Sequence, residues 1–330
     1  MKRRTHIQDG DHPDSRHIFW RPSPQRDSYS ELILTSANSH MLIEDIHTGI
    51  VPFSYDDYKS ASRVFLEPAS QNVENLICKA LPTHYGRSDD LRGMVCGFIR
   101  YATHVLAAYG QLQCEIVYFY NDKDKTKPVA FELSHLPHGI VRQIMGIPFY
   151  LTAVEDEHRD SGILNRIRRI DASRLFTLEA PSAFGSPRSH RRLISRLARL
   201  GQSVMPSFAL EEMKKQNGEK LFDFKSYRRS YELWIASVTR HLGWTARGTF
   251  REGTTEYYRL VRHLRMNRQR ALLRNHILSQ LNDVLIRIGS VIGFKGQIRM
   301  EGLSNPEKFD DMLNKLAKGE LAFMEAWKAE

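Results

Sequence analysis

Two glutamates are the carboxylates best placed for metal-dependent chemistry. Glu115 and Glu132 lie in two stretches that read as neighbouring β-strands. Carboxylates on adjacent strands can hold a divalent cation against a scissile phosphate, as metal-dependent nucleases require. Neither glutamate is followed two positions later by lysine, so the common nuclease signature is absent. We expect both to be ordinary strand residues and keep an unrecognised nuclease as an alternative.

Two other arrangements of titratable residues could do chemistry. His135 and His138 place two imidazoles close together, but Pro137 interrupts regular geometry and no third zinc ligand is obvious. Arg270 and His276 match a loose Arg-x₄₋₆-His pattern of ribonucleases. In an unbroken helix this six-position step rotates by about 600°, so the two side chains would point to different faces. These patterns predict turn and helix-surface residues rather than an active site.

The signatures of common enzyme classes are absent from the sequence. There is no Gly-x-x-x-x-Gly-Lys-Ser/Thr loop, no dinucleotide fingerprint opening a helix and no Gly-x-Ser-x-Gly elbow. The three cysteines are too few for a disulfide scaffold and lack zinc-site spacing. We therefore predict that the chain is not an enzyme, with no catalytic residue, no metal site and no cofactor.

Arginine is the residue type whose distribution stands out. The 330-residue chain has a formal net charge of +10, and residues 159–199 hold ten arginines against three acids. Arginine binds phosphate bidentately and stays charged, so this excess favours a polyanionic partner. A solvated helix face, or ion pairs with a neighbouring subunit, would also account for individual arginines. A basic, non-enzymatic nucleic-acid-binding protein is therefore one candidate class.

The elements that must position these residues follow an α+β order. Residues 1–30 are polar and are predicted to form a flexible arm. Ser88 is the expected N-cap of an apolar helix that ends at Gly110. Strands are expected at 114–120, 129–133, 148–154 and 174–178, and the first two form a hairpin around a polar turn.

The second half of the chain reads as helical. Helices are predicted at 187–200, with Ser186 as N-cap and Gly201 as its stop, at 223–242 and at 254–288. The sequence Ser304-Asn305-Pro306-Glu307 is a strong start for another helix. No stretch reaches 18 apolar residues without a charge, so we expect no membrane span.

The order of these elements resembles that of tailed-bacteriophage portal proteins. In that family a helix ending in Tyr-Gly, here Tyr109-Gly110, leads into a hairpin and a Leu-x-Pro-like turn, here Leu136-Pro137. Gly185-Ser186-Pro187 is similar to the segment that opens a portal stem helix. The helix 254–288 falls where portals have their long wing helix. The tail around Gly319, followed by Glu325-Ala326, resembles the portal tail.

The resemblance covers roughly residues 88–330 and implies a portal-like α+β fold with a small wing sheet followed by long helices. It implies the following segments: a flexible arm at 1–30, an α+β wing domain at 31–180, stem helices with a short clip-like break at 181–243, a tunnel-like loop at 244–253, and the long wing helix with C-terminal helices at 254–330. Within the tunnel-like loop, Arg247 and Arg251 are the expected DNA contacts.

The resemblance also implies a non-enzymatic function. Portal proteins form a ring of identical subunits, usually twelve, at one vertex of the capsid. Double-stranded DNA enters and leaves through that ring, and the ring joins head to tail. The implied partners are further copies of the chain, double-stranded DNA, the major capsid protein, the terminase motor and a head–tail adaptor. The implied location is the virion, and the host cytoplasm during assembly.

Overall fold

The computed structural model describes residues 36–51, 63–83, 88, 90–121, 126–137, 141–144, 147–151, 167–185, 187–202, 224–246 and 255–328. The predicted arm at 1–30 and the expected N-cap Ser186 lie outside these described residues. So do both expected DNA contacts, Arg247 and Arg251. Predictions that concern these residues therefore stay predictions.

Helices and short strands follow each other in an α+β order, which confirms the predicted fold class. The helices are α1 (Ala37–Thr48), α2 (Gln71–Ala80), α3 (Leu91–Tyr109), α4 (Pro187–Gln202), α5 (Phe224–Val238), α6 (Glu256–Ile292), α7 (Pro306–Lys318) and α8 (Phe323–Lys328). The strands are β1 (Arg63–Glu67), β2 (Gln111–Tyr120), β3 (Pro128–Leu136), β4 (Val141–Ile144), β5 (Ile147–Leu151), β6 (Ile167–Arg169), β7 (Leu175–Glu179) and β8 (Gln297–Glu301).

The chain divides into two compact units that each combine distant segments. The sheet unit comprises Met1–Asp27, Val51–Glu179 and His276–Leu303. The helix unit comprises Ser28–Ile50, Ala180–Asn275 and Ser304–Glu330. Helix α6 contributes its first part to the helix unit and its second part to the sheet unit.

The sheet unit is built around α3 and the predicted hairpin. Strand β2 pairs antiparallel with β3 on one side and with β7 on the other. Side chains on one face of this sheet, such as Leu112 and Ile116, are buried, as is Phe98 of α3. Gly110 adopts a positive φ of 75° between α3 and β2, a conformation that glycine tolerates and that ends the helix as predicted.

The start of α3 differs in detail from the prediction. Its N-cap is Asp90, whose carboxylate accepts a hydrogen bond from the Gly93 backbone N–H at 3.2 Å. Ser88, the expected cap, instead donates its hydroxyl to the Asp90 carboxylate. Ser88 therefore supports the cap from two residues upstream, because the chain enters the helix later than its sequence indicated.

The described residues of the sheet unit also form two smaller sheets. Strands β1 and β8 pair antiparallel although they are far apart in the chain. Strand β5, the predicted third strand, pairs with β4 and β6. Strands β1, β4, β6 and β8 had no counterpart among the predictions, because strands this short leave little periodic signal in the sequence.

The helix unit has a core formed by the first part of α6 and the two C-terminal helices. Leu260, Leu264 and Ala271 of α6 cluster with buried side chains of α7 and α8. Pro306 at the first position and Gly319, with φ of 73°, bound α7 as the sequence predicted. Helix α1, which the sequence did not predict, packs against α4 in the same unit.

Three helix ends differ from their predicted positions. Helix α4 continues through Gly201 to Gln202, so the predicted stop at Gly201 is wrong. Helix α5 ends at Val238, before the predicted 242, and a turn leads on to Gly243. Helix α6 continues past 288 to Ile292, where Gly293 with φ of 100° ends it. A glycine stops a helix only when the chain adopts the left-handed conformation there.

Candidate nucleic-acid interface

The described residues between α5 and Ala246, which include the first three of the predicted tunnel-like loop, form a tight, mostly buried turn. After α5, Gly243 has a φ of 77° and its N–H bonds to the Thr239 carbonyl at 3.0 Å. Trp244 and Ala246 are almost fully buried, and Ala246 also has a positive φ of 49°. The chain is therefore held firmly up to the residue before Arg247.

A buried arginine of α6 organises this turn. Arg262 is only 2% exposed. Its guanidinium donates hydrogen bonds to the Ala236 carbonyl at 3.0 Å, to the Thr239 hydroxyl at 2.9 Å and to the Trp244 carbonyl. It also lies 5.7 Å from the ring centroid of Tyr258. Arg262 thus satisfies the Ala236 carbonyl near the end of α5 and the Trp244 carbonyl of the turn that follows.

The charge of Arg262 affects its surroundings. Burial lowers the pKa of Arg262, although guanidinium remains protonated at any physiological pH. Burial, followed by repulsion from Arg262, lowers the pKa of His241 on the same turn. His241 therefore favours its neutral form more than an ordinary imidazole does, while the Arg262 guanidinium stays charged.

Two more contacts fix the turn to its neighbours in the helix unit. The Trp244 indole N–H donates to the Asp45 carboxylate of α1 at 2.7 Å. Gly243 lies so close to α6 that a Cβ added there would meet the backbone carbonyl of Arg262, the Cβ of Arg265 at 2.7 Å and the backbone nitrogen of Met266 at 2.8 Å. The sequence around Gly243 therefore requires glycine for both its conformation and its space.

Most other arginines in the first part of α6 have structural partners. Arg268 pairs with the Asp310 carboxylate at 2.5 Å. Arg270 donates to the Asp45 carbonyl at 2.5 Å, and Arg274 to the Ser304 carbonyl at 2.6 Å. These guanidiniums connect segments of the helix unit, so they do not form a free phosphate-binding face. The arginines of α4 differ, because four of them are exposed: Arg188, Arg192, Arg196 and Arg199.

The sequence candidates for catalysis occupy ordinary positions in the sheet unit. Glu115 lies opposite Ser134, and Glu132 lies opposite Val117. The two glutamates are thus diagonal neighbours on one face of the sheet. His135 makes an edge-on contact with the Tyr101 ring at 5.5 Å, and His138 lies outside the described residues. Among the described residues, no group of three or more His, Cys, Asp or Glu side chains could hold a metal ion.

Arg270 and His276 form hydrogen bonds with different segments of the chain. Arg270 also donates to the Asn267 side-chain oxygen at 2.7 Å, in addition to its bond to α1. The His276 ring nitrogen Nε2 lies 2.9 Å from the Glu179 carbonyl at the end of β7. Both side chains therefore have structural partners, in agreement with the expectation that they point to different faces.

Of the comparisons with known proteins, the one with solved structures gives a match. No family model matches the chain, and no curated protein matches its sequence. Among solved structures, the chain is similar to an HK97 family phage portal protein from Corynebacterium diphtheriae, with a TM-score of 0.38 and 8% sequence identity. The match covers 85% of this chain and 97% of that chain. That solved structure is a member of the family that the sequence motifs resemble.

In the part of the chain that the structure describes, no helix combines the length and the apolar character needed to cross a membrane.

Sequence reasoning missed the role of Arg262. Arg262 is one of seven arginines on the long helix, and the general excess of arginine in the sequence suggested a polyanionic partner or a subunit interface for them. Arg262 directly follows Val261, which lies on the apolar face of the helix. A charged residue beside an apolar face is usually exposed to solvent. A signal did exist in the short sequence Leu242-Gly243-Trp244, where a glycine and a tryptophan follow an amphipathic helix and indicate a buried turn with unpaired carbonyls.

Proposed function

We propose that this chain is the subunit of a portal, a ring at a capsid vertex through which double-stranded DNA is packaged and ejected. The ring also serves as the platform on which head and tail join. In this proposal the chain contributes no catalytic step, because the energy for packaging comes from a separate motor. Its partners are further copies of itself, DNA, the major capsid protein, a terminase motor and a head–tail adaptor.

The observation that carries the proposal is the order of the elements along the chain. Helix α3 ends at Tyr109-Gly110 and leads directly into the β2–β3 hairpin, which ends at Leu136. Further along the chain, α4 is followed by α5 and then by the long helix α6. Each of these steps matches the portal order that the sequence motifs resemble.

The length of α6 also supports an assembly. Its 37 residues correspond to about 55 Å of helix, close to twice the diameter of a small domain. The helix contributes to both compact units, so each unit encloses only part of it. A helix of this length suits a subunit that packs side by side with copies of itself in a closed, heterologous ring.

The proposed contact between the ring and DNA is the loop at 244–253, through Arg247 and Arg251. Contacts between arginine and phosphate do not depend on base sequence and weaken with salt, because binding releases condensed counterions. Changing both residues to alanine should leave assembly intact while lowering DNA retention in packaged particles. Assembly is measured by native mass spectrometry, and retention by the DNA content of purified particles.

The paired control is Arg262→Lys, which perturbs the turn beneath the loop without removing a loop charge. If the double variant fails to assemble, the two arginines are subunit-interface residues. If assembly and DNA retention both match the wild type, the loop is an inert connection and this assignment is wrong.

The mass of the assembled protein tests the proposal as a whole. A dodecamer of the 38.3 kDa chain would have a mass of about 460 kDa. We expect native mass spectrometry to detect a ring-sized species, either for the free protein or for protein assembled with the capsid. Detection of only monomer or dimer in both settings would favour the alternative, a basic nucleic-acid-binding protein.

A further inference from the structure

Helix α4 carries a continuous row of exposed arginines. Arg188, Arg192, Arg196 and Arg199, here called the arginine stripe, are all exposed. Their spacing of four, four and three residues confines them to an arc of about 80° along about 16 Å of helix. The opposite face of α4 is buried: His190, Leu193, Ile194, Leu197 and Ala198. The arginine stripe is therefore the solvent-facing side of a helix whose opposite side is packed in the core.

The stripe destabilises the helix that bears it. Neighbouring stripe residues are like-charged pairs at i,i+4 or i,i+3, which disfavour a helix. Arg188 also lies in the first turn, where the helix dipole disfavours cations. Helix α4 contains no acidic residue to offset these effects. Among the described residues, no carboxylate forms an ion pair with any of the four.

This arrangement contrasts with that of several other arginines of the helix unit. Arg228 pairs with Glu232 one turn away at 3.0 Å, and Arg268 pairs with Asp310. Arg270 of the same unit donates to a backbone carbonyl. The arginine stripe has no such partner within the described residues, so its charge is complementary to an external polyanion.

We infer that the arginine stripe is a second DNA-binding surface, which takes the phosphate backbone of double-stranded DNA. Guanidinium groups bind phosphate oxygens bidentately, and a straight row on a rigid helix can follow successive phosphates without reading bases. The charge pattern favours DNA over an acidic protein surface. Surfaces that bind proteins usually contain aromatic residues and charges of both signs. The solvent-facing side of α4 contains arginine and serine instead.

The inference rests on the DNA partner of the proposed function, but it does not require the ring. It also concerns residues that are separate from Arg247 and Arg251. A ring would repeat the row once per subunit, and a monomer would present it once. Binding of DNA and mass of the assembly therefore test the two proposals separately.

The test compares salt-dependent DNA binding by the full-length wild type and by R188Q/R192Q/R196Q/R199Q. Glutamine has nearly the helix propensity of arginine and all four sites are exposed, so the fold should be retained. The probe is a mixed-sequence DNA duplex of about 30 base pairs, followed by fluorescence anisotropy over a series of salt concentrations. The slope of log K against log salt should become shallower by about 3 to 4.

Two further variants separate charge placement from total charge. The matched control removes four exposed cations from other elements: Arg63, Lys79, Lys295 and Lys318. It should change the slope by less than about 1. Changing the four stripe residues to lysine keeps the charge and should keep the slope, with weaker binding because lysine is not bidentate.

Several outcomes would overturn the inference. An unchanged slope in the glutamine variant, or an equal change in the matched control, would show that the stripe has no particular role. Loss of the wild-type assembly in the glutamine variant would make the stripe an interface between copies. A wild type that is only a monomer, but loses DNA binding in the glutamine variant, would reject the ring and support the stripe.

Discussion

Replacing Arg262 with methionine should lower the free energy of unfolding by about 3 kcal/mol. Methionine fills a similar volume but donates no hydrogen bond. The carbonyls of Ala236 and Trp244 and the Thr239 hydroxyl would then lose a buried donor. Each buried acceptor left without a partner costs about 1–3 kcal/mol, and removal of the desolvated charge offsets part of this.

Urea unfolding followed by tryptophan fluorescence measures this effect, because Trp244 is buried in the affected turn. Arg262→Lys should have an intermediate effect, since one ammonium group cannot reach all three acceptors. Arg259→Met is the matched control: Arg259 is exposed on the same helix, so its replacement should change stability by less than about 0.5 kcal/mol. Equal stability of Arg262→Met and wild type would contradict the role assigned to this guanidinium.

Gly243→Ala should destabilise the protein by about 2–5 kcal/mol, because it combines two costs. The positive φ of 77° disfavours any residue with a Cβ. The added methyl group would also overlap the backbone of α6 near Arg262 and Met266. Backbone atoms in the middle of a helix cannot move aside as a flexible side chain could.

Gly319 provides a control that separates the two costs. It has nearly the same φ, 73°, but a Cβ there would meet nothing within 4 Å. Gly319→Ala should therefore cost only the conformational part, about 1–2 kcal/mol. The same urea unfolding experiment compares both variants. If Gly243→Ala costs no more than Gly319→Ala, the turn is not packed against α6 as described.

The elements that the sequence predicted are those with long periodic patterns or strong end signals. Helix α3 combines an apolar face with Gly110, and α7 combines Pro306 at its start with Gly319 at its end. The β2–β3 hairpin follows from β-branched and aromatic residues around a polar turn. In each case local preference and tertiary packing agree, so the sequence alone was sufficient.

The elements that the sequence missed depend on distant partners. Helix α1 buries polar residues: Asn38 donates to the Leu197 carbonyl at 3.5 Å and accepts from the Tyr231 hydroxyl at 2.6 Å. Its apolar periodicity is therefore weak. Strands β1 and β8 are five residues each and are stabilised by pairing across more than 200 positions of the chain. Such pairing has no local signature in the sequence.

Only the amino-acid composition of the candidate site could be predicted from the sequence. The excess of arginine was visible in the sequence, but its division between buried and exposed positions was not. Arg262 and Arg274 are buried and satisfy carbonyls, whereas the arginine stripe of α4 faces outward. Helical periodicity places residues on one face, yet only packing decides which face is buried when several arginines interrupt the apolar stripe.

The central claim is that copies of this chain close into a ring, and the rotational symmetry of purified particles tests it most directly. Electron microscopy of the full-length protein, free or recovered with capsids, should give end-on averages with rotational symmetry and a central opening. Most particles should have about twelve subunits. Particles without rotational symmetry, or with only the two-fold symmetry of a dimer, would contradict the proposal that this chain forms a portal.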